Sequence, residues 1–241
     1  MKLPKAIIIW CLTAQSALAS PQSPRQPVVV LDPGHGGSNA GALGATGLQE
    51  KQLSLALACR VAERLRARGI AVQLTRTTDQ TLTLRQRVAI ADRMPADLFV
   101  SIHANASPTR TQRGYETYVL TARGIDVDGR ALRSDTTTPR PGVDPDLALV
   151  LDDVERGASQ WEAADLAWRI QRALRDRRGP DGDRGVRQDA HHVLLGATMP
   201  AVLVEVGFID HPIEGRQLAE PAVQAQLAEA ITEAIADQLA D

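Results

Sequence analysis

The alternation of short apolar runs with helical patterns constrains the fold of this chain more than any other sequence feature. Four runs rich in Val, Ile and Leu have the composition of buried strands, at 28–31, 70–74, 98–102 and 201–206. Apolar residues at three- and four-residue spacing predict helices over 50–68, 83–94, 159–178 and 221–239. This alternation predicts an α/β fold, a single domain with a mostly parallel twisted sheet flanked by helices on both faces.

The amino-terminal residues have the pattern of a secretory signal peptide. Lys2 and Lys5 precede an apolar run at 6–12, and Ala17-Leu18-Ala19 has the small-x-small form of a cleavage site. We therefore divide the chain into a signal peptide, a short proline-rich segment and one folded domain, over residues 1–19, 20–27 and 28–241. We therefore expect the protein to be exported, and we prefer a periplasmic location to full secretion.

The composition excludes other classes of protein. The chain has 27 basic and 29 acidic residues, so it lacks the basic excess typical of proteins that bind nucleic acid. Beyond the signal pattern, no stretch is long and apolar enough to span a bilayer. We expect a monomer with no nucleic-acid partner and no stable membrane span after signal removal.

Residues 121–146 interrupt the alternation. They are rich in Arg, Asp, Thr, Gly and Pro and have no helical apolar pattern, so we expect a long surface loop. Such a loop is either a tolerated insertion or one wall of a cleft, and the sequence leaves both open. After the loop, Ser159-x-x-Glu162 has the form of a capping box and predicts the start of the next helix.

Three of the strand-like runs carry side chains that can bind a metal or transfer a proton. The first run continues into Asp32-Pro33-Gly34-His35-Gly36-Gly37, the third is followed by His103, and Glu205 lies in the fourth. In open α/β sheets, ligands bind beyond the carboxyl ends of the strands, where side chains from separate strands meet. We therefore treat these residues as one candidate site, although a single histidine is more often structural than functional.

Two imidazoles and a carboxylate, from His35, His103 and Glu50, form a ligand set that is common for catalytic zinc, with a fourth position left for water. Taken without the two histidines, Glu50 would be interpreted as a residue that stabilises the start of a helix, where a negative charge is favoured. Glu205 is surrounded by Val and Leu, and a buried carboxylate must be paired, metal-bound or protonated. We interpret it as a carboxylate beside the water, with a buried salt bridge to an arginine as the alternative.

Four motifs follow one another along the chain: Val30–Gly37 (VLDPGHGG), Glu50 at the start of the first long helix, Leu98–Ala106 (LFVSIHANA) and Pro200–Ile209 (PAVLVEVGFI). This ordered set resembles the zinc-dependent N-acetylmuramoyl-L-alanine amidases, the type 3 cell-wall amidases. The resemblance covers nearly all of the chain from Val28 to the last helix. It implies hydrolysis of the amide between N-acetylmuramic acid and the L-alanine of the stem peptide, with peptidoglycan as the substrate.

The same resemblance implies the roles of individual residues. Zn²⁺ would be held by His35, Glu50 and His103, and Glu205 would be the catalytic glutamate. We also expect Asn105 to contact the substrate.

A later stretch, Gly185–Gln188, is expected to line the substrate cleft, and within it Arg187 is expected to contact the substrate. Here the chain departs from the family, because His191 stands where an aromatic residue is common and Leu195 where a basic residue is common. The preferred glycan and peptide are therefore left open. The adjacent His191 and His192 could suggest a second metal site, but we expect them, like His211, to lie in a cleft wall or an exposed loop.

Other functions fit part of the pattern. A zinc peptidase that cuts within the stem peptide would use the same ligand set, although the motif order favours the amidase. A catalytically inactive wall-binding module would lack a ligand or Glu205, and none is missing. Some relatives carry a helix that blocks the zinc with a glutamate. Because no glutamate occurs between Glu116 and Glu155, we expect an open site without such a helix.

Overall fold

A computed structural model describes residues 25–120, 145–189 and 193–241. Its strands, β1 to β6, span Val28–Pro33, Ala71–Leu74, Leu98–Asn105, Tyr115–Leu120, Asp183–Asp189 and Ala201–Phe208. Its helices, α1 to α5, span Glu50–Ala67, Leu84–Arg93, Pro145–Arg178, Glu214–Ala219 and Pro221–Gln238. The predicted signal peptide, residues 1–19, lies outside the described residues.

The six strands form one sheet in the order β2-β1-β3-β6-β4-β5. Strands β1, β2, β3 and β6 pair in parallel, whereas β4 is antiparallel to β6 and parallel to β5. The predicted mostly parallel α/β sheet is therefore confirmed, with an added pair of strands that runs the other way. The sequence pattern predicts neither β4 nor β5, because both strands carry polar side chains at many positions.

The two faces of the sheet pack against different layers. Alternate residues such as Leu31 and Val204 lie in a core with α1, α3 and α5. On the other face, Phe99 packs with Ala91 of α2 and with the segment 193–199. Helices lie on both faces, as predicted, but in the part of the chain described here α2 alone contributes helical side chains to the second core cluster.

Local sequence signals set most of the helix ends. The Thr83 side chain accepts a hydrogen bond from the backbone N–H of Gln86, whose side chain in turn accepts one from the Thr83 backbone, so α2 begins with a capping box. The ends of α1, α2 and α5 lie within one residue of the predicted ones. Across the described residues, the structure contains no helix that combines the length and the apolar character needed to cross a lipid bilayer.

The start of α3 differs from the prediction. The helix begins at Pro145, so Ser159 and Glu162 lie in its interior and the capping box predicted there is wrong. The Ser159 hydroxyl instead donates a hydrogen bond to the backbone carbonyl of Thr198, at 3.4 Å. The last two residues of the predicted loop 121–146 also belong to this helix. The rest of that loop, and with it the expected absence of a blocking helix, lies outside the described residues.

Candidate metal centre

The candidate residues meet at the carboxyl ends of the central strands. His103 of β3 pairs with Glu205 of β6, and Glu205 pairs with Glu116 of β4. Residues at paired positions in neighbouring strands point to the same face of a sheet. The three side chains therefore form a row on the face that α2 covers.

His35 reaches the same place from the loop after β1. Its backbone φ is 57°, which residues other than glycine rarely adopt, and its carbonyl oxygen accepts a hydrogen bond from Arg87 at 2.6 Å. Its Nδ1 lies 3.0 Å from the side-chain oxygen of Asn39. Because an amide oxygen only accepts, Nδ1–H donates to Asn39, and Nε2 is the ring nitrogen that faces the cluster. Asn39 thus fixes the tautomer that a metal ligand needs.

The structure brings His35, Glu50 and His103 together, with ligand atoms that all lie within 4.8 Å of one another. Glu50 Oε1 lies 2.9 Å from His35 Nε2 and 2.9 Å from His103 Nδ1. Within the described ranges, this is the one group of three or more His, Cys, Asp or Glu side chains with metal-ligand spacing. The arrangement can hold a metal ion.

Glu50 is the first residue of α1 and is buried. Its Oε2 accepts a hydrogen bond from the backbone N–H of Ala42 at 2.9 Å, and its Oε1 accepts one from Ala104 at 3.2 Å. Burial opposes the charged form, but hydrogen bonds from His103 and His35 outweigh it and hold the pKa of Glu50 well below its ordinary value. Glu50 is therefore ionised, as a carboxylate ligand must be.

Two glycines leave the space that the cluster occupies. A Cβ atom on Gly34 would lie 2.3 Å from the His103 ring, and one on Gly41 would lie 2.5 Å from Glu50 Oε2 and 2.7 Å from His35. Gly41 also has a φ of 68°, in the left-handed region. A side chain at either position would displace a candidate ligand.

A buried network of charged side chains holds the loop that carries His35. Asp32 is fully buried and accepts a hydrogen bond from Arg87 at 2.7 Å. Arg87 and the buried Arg76 also donate to the backbone carbonyl of Pro33, at 2.7 and 3.0 Å. The sequence pattern does not predict these roles, because charged residues are mostly exposed. The position of Asp32 directly after an apolar run was the one available signal.

Glu205 is placed beside the cluster without a partner for one of its oxygens. Its Oε2 is buried and has no hydrogen-bond partner among the described residues. No salt bridge to an arginine is found for it in that part of the chain. Burial, with the charges of Glu50 and Glu116 nearby, holds the pKa of the Glu205 carboxyl well above its ordinary value. A buried, unpaired carboxyl with a shifted pKa is costly, and such groups concentrate at functional sites.

Asn105 and Arg187, which the sequence analysis expects to contact the substrate, both bind Glu116. Asn105 Nδ2 donates to Glu116 Oε1 at 2.8 Å, and Arg187 forms an ion pair with Glu116, with Nε 2.6 Å from Oε2. Glu116 itself is only 2% exposed. Glu116 is not among the residues predicted from the sequence, because the sequence pattern does not predict β4.

A cleft of about 680 Å³ opens beside the cluster. It is lined by His35, His103 and Asn39 on one side and by Leu82, Leu84 and Arg85, around the start of α2, on the other. Its volume is in the range of small-molecule sites, and two of the candidate ligands line it.

Among the described residues, the one further histidine, His211, lies outside the cluster. His211 Nδ1 accepts hydrogen bonds from the backbone N–H groups of Ile213 at 3.3 Å and Glu214 at 3.1 Å, where α4 begins. This contact gives His211 a local structural role. His191 and His192 lie outside the described residues.

Comparison with known proteins shows which family the chain is similar to. The family model described as N-acetylmuramoyl-L-alanine amidase matches residues 29–237 of the chain. The N-acetylmuramoyl-L-alanine amidase AmiA of Escherichia coli (strain K12) is 36% identical over 216 residues, which cover 86% of this chain and 74% of AmiA.

Solved structures agree with the sequence comparison. The amidase AmiC2 of Nostoc punctiforme has a TM-score of 0.67 and 31% identity, with 89% of this chain and 98% of that chain covered. The N-acetylmuramoyl-L-alanine amidase of Clostridium difficile 630 has a TM-score of 0.70 and 28% identity, with 90% and 98% covered. In sequence and in fold, the chain belongs to the N-acetylmuramoyl-L-alanine amidase family.

Proposed function

We propose that this chain hydrolyses, in peptidoglycan, the amide bond between N-acetylmuramic acid and the L-alanine that begins the stem peptide, with Zn²⁺ at the candidate metal centre. Membership of the amidase family supports the reaction. One observation of the structure carries the chemistry: the buried Oε2 of Glu205 has no described partner, and Glu205 lies directly across from His103.

The donor set fits zinc. His35 and His103 offer imidazole nitrogens and Glu50 offers a carboxylate oxygen, which is a ligand set of catalytic zinc sites that keep a fourth position for water. Asn39 and the backbone N–H groups around Glu50 hold two of these side chains in the form that binds a metal. When bound, zinc would polarise the amide carbonyl and lower the pKa of the attacking water.

Glu205 carries the proton in this proposal. Its carboxylate takes a proton from the attacking water as the new C–O bond forms at the carbonyl carbon. It then donates that proton to the nitrogen of L-alanine as the C–N bond breaks. The raised pKa of Glu205 suits both halves of this transfer, because the group then both accepts and releases a proton readily. The products are a muramic acid carboxylate on the glycan and a free stem peptide.

The amino-terminal pattern supports the cellular setting. Residues 1–19 would direct export and be removed, and the enzyme would act as a monomer in the periplasm, where peptidoglycan lies. Release from the cell is the alternative destination.

A digest of purified peptidoglycan tests the reaction. The zinc-loaded protein should release intact stem peptides that begin with L-alanine and leave whole glycan strands, as read by mass spectrometry. A chelator-treated sample serves as the matched control and should release nothing until zinc is returned. New termini inside the peptide would contradict the proposal in favour of a stem peptidase, and failure of the zinc-loaded protein to release peptides would favour a wall-binding module.

A further inference from the structure

Beside the proposed catalytic centre, Glu116 lies at the middle of a cluster of donors that the hydrolysis does not use. Its Oε1 accepts hydrogen bonds from Asn105 at 2.8 Å and from the Tyr118 hydroxyl at 3.1 Å. Its Oε2 accepts a hydrogen bond from Nε of Arg184 at 3.0 Å and forms an ion pair with Arg187, whose Nε lies 2.6 Å away. Both oxygens are thus occupied by the protein, so Glu116 serves to position these donors and does not contact the substrate.

An irregularity in β5 brings both arginines to this carboxylate. Tyr115 pairs with Asp183 and Thr117 pairs with Val186, so β5 has one more residue than β4 between these two pairs. In a regular strand, residues three apart point to opposite faces of the sheet. The extra residue, with Gly185 at a φ of 80°, lets Arg184 share a face with Arg187.

The two guanidinium groups differ in how tightly they are held. Arg184 also donates to Gln112 at 3.2 Å, and its guanidinium lies 5.0 Å from the centre of the Phe208 ring. The side chain of Arg187 is 46% exposed, and its terminal Nη groups bond to none of the described residues. Arg187 therefore presents a free pair of N–H donors, the geometry that binds a carboxylate through two parallel hydrogen bonds.

Charge and distance indicate which chemical group the N–H donors of Arg187 can bind. Two guanidinium groups against the single carboxylate of Glu116 leave a positive charge beside the site. His103, Glu205 and Glu116 lie on three adjacent strands. Adjacent strands are about 4.8 Å apart, so Glu116 lies about 10 Å across the sheet from His103. An extended peptide covers about 3.5 Å per residue, so a substrate that follows the row would reach the arginine within two or three residues of the scissile amide.

We propose that Arg187, positioned by Glu116 and Arg184, binds a free carboxylate on the second residue of the stem peptide, next to L-alanine. The enzyme would then prefer stem peptides that are acidic at this position over those in which the same carboxyl group is amidated. The inference rests on the proposed function, because it takes the position of the scissile bond from it.

Two matched substrates test the inference: N-acetylmuramoyl-L-alanyl-γ-D-glutamyl-L-lysine, the acid, and the same molecule with the α-carboxyl of D-glutamate amidated, the amide. In both, the γ-carboxyl is used in the peptide bond to lysine, so the two differ only in the carboxylate at issue. For the zinc-loaded wild type, kcat/KM should be about tenfold or more higher for the acid, the size expected for hydrogen bonds to a charged group. Arg187→Gln should lower kcat/KM for the acid to that of the amide, through KM, and leave the amide unchanged. Glu116→Gln should reduce the same preference by releasing the arginines.

The ratio of kcat/KM for the acid to kcat/KM for the amide distinguishes a loss of recognition from a folding defect, because a loss of folded enzyme lowers both values equally. Arg25→Gln removes a comparably exposed arginine from an ion pair with Asp97 and should keep the wild-type ratio. Equal kcat/KM values for the two substrates in the wild type, or an unchanged ratio in Arg187→Gln, would overturn the inference and leave the proposed function intact.

Binding of the product peptides tests the inference without turnover. By calorimetry, wild-type protein should bind L-alanyl-γ-D-glutamyl-L-lysine about tenfold or more tightly than the same peptide with the α-carboxyl of D-glutamate amidated, and Arg187→Gln should not. Equal affinities would overturn the inference. If neither muramoyl substrate is cleaved, the proposed function fails, and the calorimetric comparison still decides whether Arg187 recognises the carboxylate.

Discussion

At the scale of single residues, most of the polar side chains in the candidate site have partners that hold them in one state. Glu50 accepts two backbone N–H groups, and His35 donates to Asn39. Glu205 differs, because its Oε2 faces the site with no partner in the described part of the chain. The side chains that would hold a metal are therefore fixed by hydrogen bonds, whereas the carboxyl group that would carry a proton has an oxygen without a described partner. Substitutions can test these two properties separately.

Glu205→Gln tests the proton-carrying role. Glutamine has nearly the same shape but cannot take a proton, so kcat should fall by about 100-fold or more, as for the loss of a general acid–base group. Zinc content, measured by atomic absorption, should stay at the wild-type level. His35→Ala is the comparison variant and should lose both zinc and activity. Near wild-type turnover by Glu205→Gln would show that another group carries the proton.

Asn39→Ala tests how His35 is held. Without the acceptor at Nδ1, the ring loses its fixed tautomer and orientation, and zinc affinity should fall by about 10- to 100-fold. Competition with a chelator of known affinity measures this change. Asn39→Asp keeps an acceptor oxygen and should retain most of the affinity. An Asn39→Ala protein that binds zinc as tightly as the wild type would remove Asn39 from the site.

At the scale of elements, the loop between β1 and α1 supplies the space and the backbone donors that the metal centre needs. Gly41 and Gly47 both lie in this loop with positive φ, at 68° and 84°. A Cβ on Gly41 would meet Glu50 and His35, whereas a Cβ on Gly47 would meet nothing within 4 Å. The two glycines thus differ in their surroundings and share the same backbone requirement.

Gly41→Ala and Gly47→Ala form a matched pair. Each should lower the free energy of unfolding by about 1–2 kcal/mol, the cost of a left-handed conformation for a residue with a Cβ. Only Gly41→Ala should also weaken zinc binding, because its methyl group displaces the ligands. Urea denaturation and zinc titration measure the two effects. Equal zinc affinity in both variants would show that the loop adapts to the methyl group.

At the scale of the whole molecule, the candidate ligands come from three separate elements. His35 follows β1, Glu50 opens α1 and His103 lies in β3, so a bound ion would connect the loop, a helix and the centre of the sheet. A ligand that binds only the folded protein stabilises it in proportion to the logarithm of its concentration.

Removal of zinc should therefore lower the stability of the whole domain. Zinc at 100 times its dissociation constant adds about 2.7 kcal/mol, which corresponds to roughly 5–10 °C in Tm for a domain of this size. Differential scanning calorimetry before and after chelation measures the shift, and added zinc should restore it. His103→Ala should show no shift. The same Tm with and without zinc would contradict a metal site at this position.

Local sequence patterns were enough to predict the central strands and most helices. Apolar periodicity is a property of neighbouring residues, and the strand positions of His103 and Glu205 follow from it. Strands β4 and β5 are not predicted by apolar periodicity, because both carry polar side chains at many positions. The capping box at Ser159 was misread because the same residues fit the interior of a long helix.

The tertiary structure alone decided which side chains touch. Asp32, Arg76 and Arg87 are buried together around the His35 loop, although their charges indicate exposed residues. Glu116 meets Arg187 because β4 lies between β6 and β5 and because β5 contains an extra residue. Strand register and bulges depend on pairing between segments far apart along the chain, and local periodicity does not encode that pairing.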